Sequence, residues 1–341
     1  MQYVVTGFLW ISILLYLLLA GADFGAGILE FFSSPKSKII TRKLMYRIMG
    51  PIWEANHMWL IISIVILFVG FPAVYTTVSV YLHIPLVLML MGIIARGTAF
   101  SFRNYDAVKD EMQIVYSRIF VYASILTPLF LGIIAGSIVS GKIDPAANTF
   151  MGEYIYDWLN WFPLSVGLFT VFICGFLASV YLIGESDTEE QRKLFFRRTR
   201  NMNVGAFVSG SMVLLAARSE NVPLFHWLFG NLVSAAAIIS ALVSLVVFWF
   251  HMNKRKSGWL RILAAFQLTM IFIAVTYSHY PNIVLFKNGS SISLNVPGDN
   301  HTIKVLGWAL LIGGIFILPA VFYLIYSFTE RKINSSYHEQ E

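Results

Sequence analysis

Gly50-Pro51-Ile52-Trp53-Glu54-Ala55-Asn56-His57-Met58-Trp59-Leu60 opens an apolar run that continues to Gly70. Length and hydropathy make this run a membrane-spanning helix. Its first two turns nevertheless hold a carboxylate, an amide, an imidazole and two indoles. Ionisable groups inside a bilayer are costly, and where they occur they mark ion or proton routes. The stretch therefore predicts an all-α integral membrane protein whose chemistry lies within the membrane.

Composition agrees. Of the 341 residues, 57% are hydrophobic and only 12% are charged, against roughly 25% in soluble domains. Hydropathy predicts nine spans, at 4–32, 51–70, 74–98, 114–139, 161–183, 203–217, 226–250, 260–278 and 305–328, the sixth being the shortest. Lys and Arg concentrate on alternate loops: Lys36 to Arg47, Arg103 to Lys109, Arg192 to Arg200, Lys254 to Lys256, and Arg331 with Lys332. The positive-inside rule then places the N-terminus outside and the C-terminus in the cytoplasm. An even number of spans would set these charges in conflict. The first span has no basic n-region and contains Asp23, which argues against a cleaved signal peptide.

The expected organisation is a four-helix bundle over 1–140, an external loop over 141–160 and a second bundle over 161–280. An external loop over 281–304, a peripheral ninth helix over 305–328 and a cytoplasmic tail over 329–341 follow. Ser291-Ile-Ser-Leu-Asn-Val296 alternates in polarity and suits a small hairpin. Asn288-Gly289-Ser290 matches a glycosylation sequon, a pattern too short to carry weight. The single cysteine, Cys174, excludes an internal disulfide and a Cys-x-x-Cys-His haem attachment. No phosphate loop, soluble catalytic domain or His-Glu-x-x-His metal motif is present. The basic loops are read as topology signals, with no nucleic-acid partner.

Depth arithmetic brings the polar residues together. At 1.5 Å per residue, Asp23 lies about 13 Å above the cytoplasmic end of the first helix, and His57 about 9 Å into the second. Pro51 suits the first helical position there, with Glu54 a turn in, and Arg96 lies within a turn of the cytoplasmic end of the third. Trp53 shares a helix face with His57, and Asn56 with Trp59. Gly21 and Gly25 let neighbouring helices approach the carboxylate of Asp23 closely. Three readings stay open. An Asp23–Arg96 or Glu54–Arg96 ion pair fixes the packing; a proton route enters at Glu54 and passes to His57 and Asp23; or the cluster binds a cation, as in a secondary transporter. Arg103 is placed to snorkel to the headgroups. Trp53 and Trp59 are either anchors or a wall beside a cofactor.

Asp23 within a glycine-rich first helix, Pro51-x-Trp53-Glu54-x-Asn56-x-x-Trp59, and Arg96-Gly97 through Phe100-x-Phe102-Arg103 together resemble subunit II of cytochrome bd-type quinol oxidases. The resemblance implies a pseudo-symmetric heterodimer with a similarly folded subunit I. That subunit would carry haem b, haem d, their axial ligands and the quinol loop. The complex would sit in a bacterial cell membrane, oxidise quinol and reduce oxygen to water, and a small single-span subunit would be an optional addition. Subunit II would complete the haem surroundings, shape a proton path or hold a structural quinone. The resemblance assigns the proton path to Asp23 and Glu54, whereas His57 is proposed on its chemistry alone. No axial ligand or metal ligand is assigned to this chain.

Overall fold

The computed structural model describes residues 1–50, 53–105, 111–252, 257–295 and 298–338. It is an all-α integral membrane protein with one small hairpin, and eight of its helices are long and apolar enough to cross a bilayer.

Helix α1 (Gln2–Phe31) is the axle. Its last third, from Ala20 to Glu30, is buried on every side. It packs against α3 (Trp53–Gly70), α6 (Met112–Ser140) and α8 (Trp161–Gly184). The basis of that burial is steric. A Cβ on Gly25 would land on the carbonyl of Cys174 in α8, and one on Gly27 on the side chain of Ser124 in α6. Only glycine permits both approaches.

Between α1 and α3, the basic stretch expected as a loop is α2 (Pro35–Met49). Pro35 occupies the first turn, where its missing N–H is harmless. Ser37, Thr41, Leu44 and Met45 form its buried face, so the segment is an amphipathic helix lying under the bundle. Pro51, read as a helix start, lies outside the described residues.

The third span differs from its expected 74–98. Helix α4 (Pro72–Tyr81) stops at Leu82, and α5 (His83–Tyr105) begins. Pro85 has no N–H to give to the carbonyl of Tyr81, so the ladder breaks there. The expected seventh span is likewise interrupted. A short α10 (Leu224–Phe229) ends at Gly230, and Asn231 caps α11 (Leu232–His251), its side chain accepting the Ser234 N–H at 2.8 Å.

The sixth span is longer than expected. Helix α9 (Glu189–Ser219) has Thr188 as its N-cap, accepting the Gln191 N–H at 3.2 Å, and Glu189 and Glu190 in its first turn. The basic residues Arg192 to Arg200, read as a loop, are its first half. Helix α12 (Ser257–His279) follows, and α13 (Asn300–His338) runs past the expected end at 328.

On the opposite end from α2, a five-residue helix α7 (Phe150–Tyr154) and the hairpin β1 (Asn282–Leu285) with β2 (Ser291–Ser293) form a small cap. The hairpin is antiparallel, as the alternation suggested. Its turn holds Gly289 at φ +81°, and the Asn288 side chain folds back onto the N–H and hydroxyl of Ser290. The cap joins the 141–160 segment through a bridge between Ile143 and Phe286 and an ion pair of Lys287 with Asp144 at 2.7 Å.

Candidate functional site

Of the two ion pairs left open by the depth arithmetic, Asp23 with Arg96 is the one that forms. Arg96 Nη2 lies 2.6 Å from Asp23 Oδ1 and 3.0 Å from the Asp23 carbonyl, and Nε donates to Ser124 Oγ at 3.1 Å. Both side chains are 1% exposed, so the pair is shut away from solvent and lipid alike. The guanidinium also lies between the rings of Phe24 and Phe120, at 5.2 and 4.9 Å. A buried pair of this kind offsets its desolvation only when further hydrogen bonds complete it. Ser124 and the α1 carbonyl supply them on the arginine side.

The carboxylate side is incomplete. Asp23 Oδ2 is buried without a hydrogen-bond partner, as are Tyr16 Oη, Asn56 Nδ2 and His57 Nδ1. The His57 ring lies 6.0 Å from the rings of both Tyr16, two turns before Asp23 on α1, and Phe24, the residue after it. Four orphaned polar atoms from α1 and α3 thus line the contact between the two helices. Buried polar atoms are nearly always satisfied. A seam of unsatisfied ones suits exchange of protons or water better than rigid packing.

Glu54 is not brought in. Asn56, Trp59, Ser63 and Ile66 define the inward face of α3, and Glu54 is exposed on the other side without an ion pair among the described residues. Trp59 is core, 7% exposed. Trp53 lies 5.2 Å from the Phe100 ring and covers Gly97, so it closes the gap between α3 and α5.

The residue that sequence reasoning missed is Glu30. It is 2% exposed and receives Arg42 at 2.5 and 2.7 Å from α2, and Arg103 at 3.0 Å from α5. Arg103 is therefore an ion-pair partner, 11% exposed, and not a snorkelling side chain. Glu30 follows Asp23 by seven residues, about 10.5 Å along the same face of α1. Between them lies a cavity of about 10 Å³, bounded by Asp23, Ala26, Glu30 and Phe100. That volume is about one water. Two ion-paired carboxylates and the unsatisfied seam thus form one column from the basic end into the membrane.

Among the described residues, no three His, Cys, Asp or Glu side chains are close enough to hold a metal ion. The rings of Tyr16 and Phe24 are the aromatic neighbours of His57, each at 6.0 Å.

Comparison with known proteins gives the frame. The chain is 22% identical over 321 residues to the cytochrome bd ubiquinol oxidase subunit 2 of Bacillus subtilis (strain 168), covering 93% of this chain and 92% of that one. It is 25% identical over 178 residues to the cytochrome bd-I ubiquinol oxidase subunit 2 of Escherichia coli (strain K12), covering 50% and 46%. The fold matches a chain in the structure of the bd oxidase from Geobacillus thermodenitrificans with a TM-score of 0.77 at 20% identity, over 96% of this chain and 98% of that one. The model of the family described as cytochrome bd terminal oxidase subunit II matches residues 1–328. With that match spanning all the crossings and both halves of the buried column, the chain belongs to the cytochrome bd terminal oxidase subunit II family.

Proposed function

We propose that this chain is the subunit of a bacterial quinol:oxygen oxidoreductase that binds no haem iron itself, supports a haem-bearing subunit I, and carries protons from the basic end toward it. The observation behind the proton role is the buried Asp23–Arg96 pair with Asp23 Oδ2, Tyr16 Oη, Asn56 Nδ2 and His57 Nδ1 left without partners beside it. Reducing oxygen to water consumes four electrons and four protons, and a buried reaction centre must receive those protons through protein. The haems b and d supply the oxygen chemistry when bound, and we assign their ligands to the partner.

In this reading Arg96 holds one carboxylate oxygen of Asp23 and leaves the other free toward the seam. Protons pass by way of water and the imidazole of His57, whose unprotonated nitrogen accepts and releases them. Glu54 stands on the exposed face of α3, where a carboxylate suits a path that continues across the contact with subunit I. We infer nine crossings with the N-terminus outside, arranged as two four-helix bundles joined through α1 and α8 with α13 peripheral. The cytoplasmic placement of the basic end follows from that topology. The secondary-transporter alternative is set aside, since the chain belongs to a terminal oxidase subunit family.

The test uses the co-expressed complex. His57→Leu, which leaves the Asp23–Arg96 pair intact, should lower oxygen-reduction turnover about 100-fold or more, the range lost when a positioned proton-transfer group is removed. The reduced-minus-oxidised haem spectrum should stay unchanged. Normal turnover with normal haem would leave the column a packing device.

A further inference from the structure

A second feature of the basic end lies beyond the oxidase reading. A groove of about 700 Å³ opens between the end of α1, α2, the end of α5 and the start of α6. Its cationic lining is Lys38, Arg42, Arg103 and Arg118. Among the described residues, the carboxylate paired with these cations is Glu30, which sits 2% exposed behind Arg42 and Arg103 and is spent on both of them. Lys38 and Arg118 have no ion pair among the described residues, and Arg118 is exposed. Arg42 keeps Nη1, and Arg103 keeps Nε and Nη2, outside the hydrogen bonds to Glu30. The described lining therefore carries a net positive charge with several unused N–H donors.

Its other wall is apolar. Phe31 and Tyr122 line it with ring centroids 6.2 Å apart, and they are 46% and 62% exposed. Both belong to helices long enough to cross the bilayer, and the groove sits where those helices end. That is headgroup depth for a spanning helix. Cations above and bare aromatic surface below fit a ligand with an anionic head and hydrocarbon tails. A free phosphate would leave the aromatic wall bare, and a zwitterionic lipid would bring its own cation into a basic site.

We propose that this groove is a binding site for an anionic phospholipid, with the phosphodiester between Lys38, Arg42, Arg103 and Arg118 and an acyl chain along Phe31 and Tyr122. A juxtamembrane cation contributes about 1 kcal/mol of attraction to an anionic lipid, so each one removed should weaken binding about fivefold.

The experiment uses the complete oxidase complex, purified in detergent and stripped of lipid by extended washing. Its melting temperature is followed while phosphatidylglycerol, phosphatidylcholine or inorganic phosphate is added. Phosphatidylglycerol should raise the melting temperature at a half-saturating concentration at least tenfold below that of phosphatidylcholine, and phosphate should do little. Lys38→Gln/Arg118→Gln should move the phosphatidylglycerol midpoint up about 30-fold, following the same per-cation figure, while Lys38→Arg/Arg118→Lys should hold it. Equal responses to the two lipids, or an unmoved midpoint in the double glutamine variant, would overturn the proposal. A full response to inorganic phosphate would overturn it in favour of a soluble-anion site. Loss of the partner subunit from the glutamine variant on size-exclusion chromatography would make the groove a subunit contact instead.

Discussion

Arg96 shows how much one side chain is asked to do. It neutralises Asp23, holds Ser124 and lies against two aromatic rings at 1% exposure. Removing one member of a buried pair costs roughly 3–5 kcal/mol, because the other charge is left unpaired. Arg96→Gln should therefore sharply reduce the yield of monodisperse complex and lower its melting temperature. Asp23→Asn/Arg96→Gln should recover much of the loss, since it buries no orphan charge. A double variant no better than the single would show that Arg96 acts by packing alone. The meeting of these two residues was legible from helix rise and loop charge. Glu30 was not, because a carboxylate in the last turn of a span reads as a boundary residue. The signal was its seven-residue spacing from Asp23, which repeats one helix face. Glu54 differs for the converse reason: its depth, a turn into the span, suits the interior, while Asn56, Trp59, Ser63 and Ile66 set the inward face elsewhere.

Asp157 is the residue-scale counterpart on the opposite end. It is 1% exposed, one oxygen has no partner, and the other only accepts the Asp144 N–H at 3.4 Å. Burial pushes its pKa up to about 7, and the carboxylates of Asp144 and Glu153 add to the rise against the Asp144 N–H and Lys287. The sign follows from linkage. Below about pH 4 both states are protonated; above it the unfolded chain loses its proton while the folded one keeps it. Stability should fall by about 1.4 kcal/mol per pH unit from near pH 4 to near pH 7, then level off. Melting curves of wild type and Asp157→Asn across pH 5–8 check this. The variant should lose that slope and exceed wild type at pH 8, and parallel curves would sink the assignment.

At the scale of elements, glycines decide how close α1 comes to its neighbours. A side chain at Gly25 meets the backbone of Cys174 and the side chain of Ala178, and backbone cannot move aside as a flexible side chain can. Gly25→Val should cost more than the 1–3 kcal/mol typical of an overpacked core, with loss of assembled complex on size-exclusion chromatography. Gly7→Val, where a Cβ meets nothing, is the control and should assemble normally. Small-residue spacing made this contact readable in advance. The amphipathic α2 was hidden because its charge dominated the hydropathy average, although Ser37, Thr41, Leu44 and Met45 repeat at helical spacing. The breaks at Leu82 and Gly230 were hidden by the opposite effect: a hydropathy window sees uninterrupted apolar sequence and is blind to a missing N–H or a capping side chain.

For the whole molecule, the open quantity is whether α9 crosses. Its first half is too charged for it to count among the eight candidate spans. Its second half, however, presents Val204, Phe207, Val208, Met212 and Leu215 exposed on one side, 54%, 70%, 53%, 39% and 69% respectively. Those positions recur at helical spacing and make a lipid-facing stripe, while Met202, Ala206 and Ser209 face α8. Such a stripe would be an aggregation liability in water, and on that ground we propose that α9 from about Val204 onward lies in the bilayer. The consequence is a parity. Lys193 and Asn288 are separated by α9, α11 and α12. Three crossings put them on opposite sides, and two put them on the same side. Cys174 is the only cysteine and is 1% exposed, so Cys174→Ser provides a clean background. Lys193→Cys and Asn288→Cys, both exposed positions, would then be treated with a membrane-impermeant maleimide in intact cells and after permeabilisation. Asn288→Cys should label in intact cells, and Lys193→Cys only after permeabilisation. Labelling of both in intact cells would reduce the crossings to eight and return the basic half of α9 to the outer face. It would also reverse the side from which the Glu30–Asp23 column could draw protons.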